Sequence, residues 1–127
     1  MDIDFRVRFA AEQAAKVAAD LCGTERPPIE WVELPAGQLG ETRGSSGAIF
    51  LDPRGMSVLQ AMRTAAHETR HLHKMRVGSL PRFGASNLDR EWSEDDAIAF
   101  EEEALEALEE KHGGSLWFDR ALEKERQ

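Results

Sequence analysis

The chain has 127 residues, with 24 acidic and 16 basic side chains and a formal net charge of −8. A chain of this length forms one domain and can bury a hydrophobic core without a disulfide or a structural metal. The acidic excess disfavours the phosphate backbone as a ligand, so no nucleic-acid partner is expected.

The sequence predicts a cytoplasmic domain. Its single cysteine, Cys22, cannot form an internal disulfide, which favours a reducing compartment. The chain contains no apolar run of about 18 residues, so neither a membrane span nor a membrane partner is expected. The N-terminus also lacks the basic start and the apolar core of a signal peptide. The oligomeric state stays open.

The first half of the chain predicts one helix and a small sheet. Apolar residues recur at helical spacing over residues 5–22, and Gly23 can end that helix. Short runs rich in strand formers predict strands over 29–34 and 48–51. The glycine-rich segment between them, 35–47, predicts a loop or a hairpin connection.

A central helix follows the second strand. Ser57 is a candidate N-cap for a helix that runs to about Met75. Glycine and proline over 78–84 predict a break in the helical pattern.

The last part of the chain predicts a long acidic helix. This helix starts near Ser93, with Ser93 and Asp96 as a capping box, and ends at Gly113. A short helix in the tail would dock Trp117 and Phe118 on the core. The predicted fold is therefore α+β, with two to three short strands packed on these helices.

The central helix carries the sequence HETRH at residues 67–71. His71 lies about 40° from His67 and one turn further along, so both imidazoles share one face. The opposite face carries a predicted core stripe of Val58, Met62, Ala65, Thr69 and Leu72. Two imidazoles at this spacing can bind one tetrahedral metal ion, and Glu68 can reach a water at that ion. The segment thus has the HExxH arrangement of two metal ligands and a general base.

A catalytic zinc site usually has a third protein ligand. His73 lies about 200° around the helix from His71, so we expect it to be a polar residue near the helix end. On the acidic helix, Glu94 and Glu101 share the face of the larger apolar side chains, which are Ile98, Leu105 and Leu108. A carboxylate on a buried face is costly unless it is paired, and a metal ion would pair it.

From the residues alone, the candidates for the third ligand are Glu94 and Glu101, with Glu91, Asp95, Asp96 and His112 as further alternatives. Among these, Asp95 and Asp96 are expected on the solvent side of the helix.

The HETRH segment resembles the zinc-binding helix of the zincin metallopeptidases. The order of helix, strands, HExxH helix and acidic helix is similar to the compact ImmA/IrrE-like peptidases, many of which belong to phages and mobile elements. These carry a pattern E-x-E-A-x-x-F-A, whose first Glu is a ligand. Residues 94–101, EDDAIAFE, are similar, with Asp96 for the second Glu and Glu101 for the last Ala. The resemblance implies a minimal zincin-like domain of the gluzincin type, with Zn²⁺ on His67, His71 and Glu94.

The expected function is zinc-dependent hydrolysis of peptide bonds in a protein or peptide substrate. Glu68 would act as the general base for a zinc-bound water. The strand around Ile49 is expected to lie at the edge of the sheet, where it could pair with an extended peptide.

The chain has no tyrosine to stabilise an oxyanion. The candidate donors are therefore His73, Arg63, Arg70 and Arg90. The missing tyrosine also favours an alternative function, in which a catalytically weak or inactive zincin fold binds a metal ion or a partner protein.

Overall fold

The computed structural model of the chain describes residues 2–43, 46–77 and 87–126, the last range with side chains from 93 to 123. Within these ranges the fold is α+β, with four helices and one small mixed sheet, as the sequence predicts. The helices are α1 (Phe5–Cys22), α2 (Val58–Arg76), α3 (Asn87–His112) and α4 (Leu116–Arg126). The strands are β1 (Ile29–Trp31), β2 (Gly40–Thr42) and β3 (Ile49–Leu51). No described helix is both long and apolar enough to cross a membrane.

Local capping sets the ends of the first two helices. Gly23 has a φ of 70°, and its N–H donates to the last carbonyls of α1. The Ser57 hydroxyl accepts a hydrogen bond from the backbone N–H of Gln60, whose side chain accepts one from the backbone N–H of Ser57. The predicted end of α1 at Gly23 and the predicted N-cap of α2 at Ser57 are both confirmed.

The sheet has the order β1-β3-β2, with β1 parallel and β2 antiparallel to the central strand. Ile49 of β3 is paired with Ile29 on one side and with Thr42 on the other. The prediction that the strand around Ile49 lies at the edge of the sheet is therefore wrong. The two edge strands are β1 and β2, and β2 lies within the segment predicted as a loop or hairpin connection.

The edge strand β2 lies directly against α2. A Cβ atom on Gly40 would approach Thr64 Cγ2 to 2.6 Å and Glu68 Cγ to 2.9 Å. Such distances are too short for non-bonded carbon atoms, so only glycine allows the strand to lie this close to the HExxH turn.

The core lies where α1, α2 and the sheet meet. Fully buried alanines line the contact between the two helices, and their small side chains allow a close approach. Most of the predicted stripe of α2 is buried, with Val58 partly exposed. In α4, Phe118 is buried and Trp117 packs on the core with its ring against Phe9, so the predicted docking of the tail is confirmed.

The third helix begins earlier than predicted. It starts at Asn87, so Ser93 and Asp96 lie inside the helix and do not form its capping box. The helix ends at His112, next to the predicted stop at Gly113. The predicted break over 78–84 lies outside the described residues.

The buried face of α3 also differs from the prediction. It consists of Ser93, Ala97, Phe100, Ala104 and Leu108. Ile98 is 54% exposed, and the side chain of Glu94 is 56% exposed. The inward placement of Glu94 on a buried apolar stripe is therefore wrong. Ala104 and Phe100 pack against α1 and α2, whereas Ile98 faces water.

The two faces of α3 give a first prediction. Leu108→Ala should lower the free energy of unfolding by about 2–5 kcal/mol, because it leaves a cavity in the core. Ile98→Ala should change it by less than about 0.5 kcal/mol, because the side chain is largely in water. Urea denaturation of both variants measures the difference. A larger loss in Ile98→Ala would mean that the face of α3 is assigned wrongly.

A buried carboxylate closes the turn after β3. Asp52 accepts hydrogen bonds from the backbone N–H of Leu34 at 2.9 Å and of Arg54 at 3.0 Å. Nη2 of Arg54 lies 2.6 Å from the same carboxylate. The Arg54 guanidinium, together with the two backbone N–H groups, holds the pKa of Asp52 well below its ordinary value.

This lowered pKa gives a second prediction, on acid stability. A carboxyl group with a lower pKa in the folded state stabilises the fold above its ordinary pKa, and that contribution is lost as the pH falls. Between about pH 6 and about pH 3, the melting temperature of the parent should therefore fall more than that of Asp52→Asn. Asp20→Asn, which changes an exposed carboxylate, should follow the parent. If the melting temperatures of all three proteins fell by the same amount between these pH values, this role of Asp52 would be excluded.

Candidate metal centre

The two histidines of the HExxH turn meet at one point. Their Nε2 atoms lie 3.0 Å apart, and the rings cross edge to face at an angle of 82°. Residue His71 is buried and His67 is partly buried. The helical spacing therefore places both imidazoles in a common space, as predicted.

The carboxylate of Glu94 spans the same point from α3. Its Oε1 lies 2.8 Å from Nε2 of His71, and its Oε2 lies 3.1 Å from Nε2 of His67. The structure thus brings together the three residues predicted as ligands, although Glu94 reaches the histidines from the half-exposed side of its helix.

The other ring nitrogens are engaged on the far side. Nδ1 of His67 lies 2.8 Å from Oε2 of Glu101, and Nδ1 of His71 lies 2.9 Å from Oγ of Ser93. Each imidazole therefore contacts an α3 side chain through Nδ1 and faces the meeting point with Nε2. The sequence does not indicate a site role for Ser93, because Ser93 and Asp96 together predict a helix cap.

Burial and charge act differently on the two rings. Burial disfavours the charged form of His67, but the hydrogen bond to Glu101 and the nearby carboxylates outweigh it, so its pKa is raised. Burial and the adjacent charge of His67 lower the pKa of His71. The meeting point thus favours one positive charge, which either a proton or a metal ion can supply.

The predicted base, Glu68, lies beside this point and is only 6% exposed. It offers a ligand atom within 4.8 Å of one from His67 and one from His71. The Thr42 hydroxyl of β2 lies 3.0 Å from the backbone carbonyl of Glu68 and 3.3 Å from its Oε1, and can donate to either. Burial raises the pKa of Glu68 to about 7, against the opposing charge of His67 and the bond to Thr42. Such a carboxyl group can accept and release a proton near neutral pH.

The two Nε2 atoms and the two oxygens of Glu94, each of which contacts one histidine, lie at spacings near those of tetrahedral zinc ligands. Ligand atoms at about 2.0–2.1 Å from zinc lie about 3.3 Å from one another. The contacts among the two Nε2 atoms and the Glu94 carboxylate, at 2.8, 3.0 and 3.1 Å, come close to that spacing. Two imidazoles and one carboxylate form a donor set that zinc accepts in catalytic sites.

The alternative ligands are less well placed. Glu101 contacts Nδ1 of His67, on the opposite side of the ring from the meeting point. Asp95 is exposed. His112 lies about 27 Å beyond Glu94 along the axis of α3, and its ring packs against Trp117. The side chain of Glu91 lies outside the described residues.

Asp96 is not on the solvent side, contrary to the prediction. Its carboxylate forms an ion pair with Arg70, with Nε and Oδ2 2.9 Å apart and both side chains largely buried. The Arg70 guanidinium also lies 5.0 Å from the centre of the Phe100 ring. This pair fastens α3 to α2 close to the histidines.

The candidate oxyanion donors differ in position. Arg63 lines the cleft beside His67 and pairs with Glu102 at 2.7 Å. Arg70 is held in the ion pair with Asp96. His73 lies in the last turn of α2, and the side chain of Arg90 lies outside the described residues. Arg63 is therefore the described candidate nearest to the site.

The site opens into a polar cleft of about 520 Å³. Its walls are residues 37–40 before and within β2, the N-terminal half of α2, and Glu94 and Glu101 of α3. A larger groove of about 820 Å³, between the starts of α1 and α2 and helix α4, is mainly apolar and holds neither histidine. The candidate metal centre therefore lies in the smaller cleft.

No protein-family model, no curated protein and no solved structure matches the chain. The resemblance to zincins therefore stays a prediction from the sequence, which rests on the HETRH segment, the order of the elements and residues 94–101.

The geometry gives a third prediction, on metal binding. His67→Ala and His71→Ala should each weaken Zn²⁺ binding by more than the about 10–100-fold that the loss of an outer partner costs. The fold should survive, because the main core cluster contains neither residue. His73→Ala is the matched control and should bind like the parent. Competition titration with a chromophoric chelator and circular dichroism measure both effects. Unchanged affinity in both site variants would exclude this metal site.

Proposed function

We propose that this chain is a zinc-dependent peptidase with a zincin-like active site. One observation supports this most strongly: two Nε2 atoms and the carboxylate of Glu94 meet beside the buried Glu68. A cluster of His67, His71 and Glu94 that served only to hydrogen-bond α2 to α3 would need no carboxylate such as Glu68 beside it. A metal-dependent hydrolase needs a general base within reach of the attacking water.

The residues divide the work as follows. His67, His71 and Glu94 would hold a zinc ion, which lowers the pKa of a water towards neutrality and polarises a carbonyl group. Glu68 would take a proton from the attacking water and deliver it to the leaving amine. Burial raises the pKa of Glu68, which makes its carboxylate a stronger proton acceptor than an exposed one.

The substrate would lie along the edge of the sheet. On the side away from β3, β2 has no partner strand among the described residues, and residues 37–40 line the cleft. An extended peptide that pairs with this edge would place a backbone carbonyl near the histidines. The strand that would pair with the peptide is therefore β2, whereas the sequence pointed to the strand around Ile49.

A second candidate is a zincin-like module that binds a metal ion without turnover. One observation favours it: both arginines that could stabilise an oxyanion, and whose side chains are described, already form ion pairs. Arg63 is engaged by Glu102 and Arg70 by Asp96. A substrate would have to displace such a pair before the guanidinium could stabilise developing charge.

A fourth prediction separates base from ligand. Glu68→Gln should bind Zn²⁺ like the parent and lose at least about 100-fold in peptide hydrolysis, because it removes a proton acceptor and not a ligand. Glu94→Ala should lose both binding and hydrolysis. Asp95→Ala, a change in the exposed neighbour, should lose neither. Metal content and cleavage of a fluorogenic peptide library provide the two measurements.

The outcomes distinguish the two candidate functions. Zinc bound by the parent without any cleavage would support the binding module. Cleavage that persists in Glu68→Gln would exclude Glu68 as the base. Zinc retained by Glu94→Ala at the affinity of the parent would exclude Glu94 as a ligand.

A further inference from the structure

We propose that Glu101 and Ser93 are positioning residues that fix the tautomers of His67 and His71, so that both Nε2 lone pairs face one metal ion. This inference rests on the proposed function, since it concerns how the same site is prepared to bind zinc. Neither residue touches the meeting point itself.

Glu101 provides a hydrogen-bond acceptor for Nδ1 of His67. An ionised carboxylate can only accept hydrogen bonds, so Nδ1 of His67 must carry the proton in its 2.8 Å contact with Glu101. A neutral imidazole protonated on Nδ1 has its lone pair on Nε2, the atom that faces His71 and Glu94. Only 15% of the Glu101 side chain is exposed, so little water competes for this bond.

Ser93 can act in the same way on His71. Its hydroxyl is buried and lies 2.9 Å from Nδ1 of His71. A serine inside a helix can donate its own O–H to the carbonyl one turn earlier, which leaves a lone pair to accept from the imidazole. Once Glu94 binds the metal ion and no longer accepts from Nε2 of His71, Nδ1 of His71 would carry the proton and Nε2 would also offer a lone pair.

One helix supplies the ligand and both positioning residues. Glu94 and Glu101 are separated by two turns and so share a face, whereas Ser93 is turned by about 100° towards the buried side. The two outer contacts therefore reach the imidazoles from different directions. Histidines that bind metals commonly donate their second ring nitrogen to such a partner, and losing that partner typically costs about 10–100-fold in affinity.

Glu102 provides a matched control for Glu101. Both carboxylates approach Nη1 of Arg63, Glu102 at 2.7 Å and Glu101 at 3.7 Å. Only Glu101 contacts His67, and Glu102 is largely exposed. A change at Glu102 therefore alters the ion pair with Arg63 but leaves the imidazole contact in place.

The first measurement is Zn²⁺ affinity of the full chain, by competition with a chromophoric chelator. Glu101→Ala should bind about 10–100-fold more weakly than the parent, and Glu102→Ala should bind like the parent. Glu101→Gln should recover part of the loss, because its amide oxygen can still accept from Nδ1. Ser93→Ala should weaken binding and Ser93→Thr, which keeps the hydroxyl, should restore it. Equal affinities of Glu101→Ala and Glu102→Ala, or of Ser93→Ala and Ser93→Thr, would overturn the respective assignment.

The second measurement is the tautomer in metal-free protein, from long-range ¹H–¹⁵N correlation spectra recorded where the imidazoles are neutral. The parent should show Nδ1–H on His67, and Glu101→Ala should shift this proton towards Nε2. Without metal, Nε2 of His71 lies 2.8 Å from the acceptor-only carboxylate of Glu94, so Nε2–H is expected on His71. A purely structural role of Glu101 would leave the tautomer of His67 unchanged, and Nε2–H on His67 of the parent would overturn the assignment of Glu101. If the parent binds no Zn²⁺, the proposed function fails, but these spectra still decide whether Glu101 sets the tautomer of His67.

Discussion

The close packing of α3 against α2 determines whether a metal site can exist in this fold. Ala66 of α2 and Ala104 of α3 are buried together with Phe100 and Ala18, and small side chains let the helices approach. That approach carries the Glu94 carboxylate to within 3.1 Å of both Nε2 atoms. Metal–ligand distances tolerate deviations of only about 0.2 Å, so a larger side chain at Ala104 would separate the ligands. The alanines of the interface are thus as important to the site as its charged residues.

The same packing concentrates negative charge around two imidazoles. Glu68, Glu94 and Glu101 all approach His67, and Glu68 is almost completely buried. Carboxylates withdrawn from water lose solvation, which a nearby cation compensates. In the proposed site a zinc ion provides that cation, and the excess of acidic residues in the chain also favours cations near its surface. The acidic composition, which disfavours nucleic acid as a partner, is consistent with a site that requires positive charge.

The parts of the structure that follow from local patterns could be predicted from the sequence, and those that depend on tertiary contacts could not. The HETRH helix, its cap at Ser57 and the shared face of His67 and His71 follow from helical spacing and capping. The strand β2 does not, because it is a three-residue segment that starts with glycine and is stabilised by pairing with β3. The buried face of α3 was misassigned because alanine carries little hydrophobic signal, whereas Ile98 suggested the wrong side. Ser93 looked like a helix cap because Asp96 follows it at the spacing of a capping box.

The edge strand links the sheet to the proposed base. Gly40 lets β2 approach Glu68 closely, and the Thr42 hydroxyl can donate to the backbone carbonyl or the carboxylate of that residue. The side of β2 away from β3 is also the edge along which an extended peptide would pair. A peptide that orders this strand would therefore also hold Thr42, and with it Glu68, in position for proton transfer. Correctly placed groups lower the entropic part of a reaction barrier. Peptide binding at this edge and proton transfer by Glu68 would therefore be coupled through Gly40, Thr42 and Glu68.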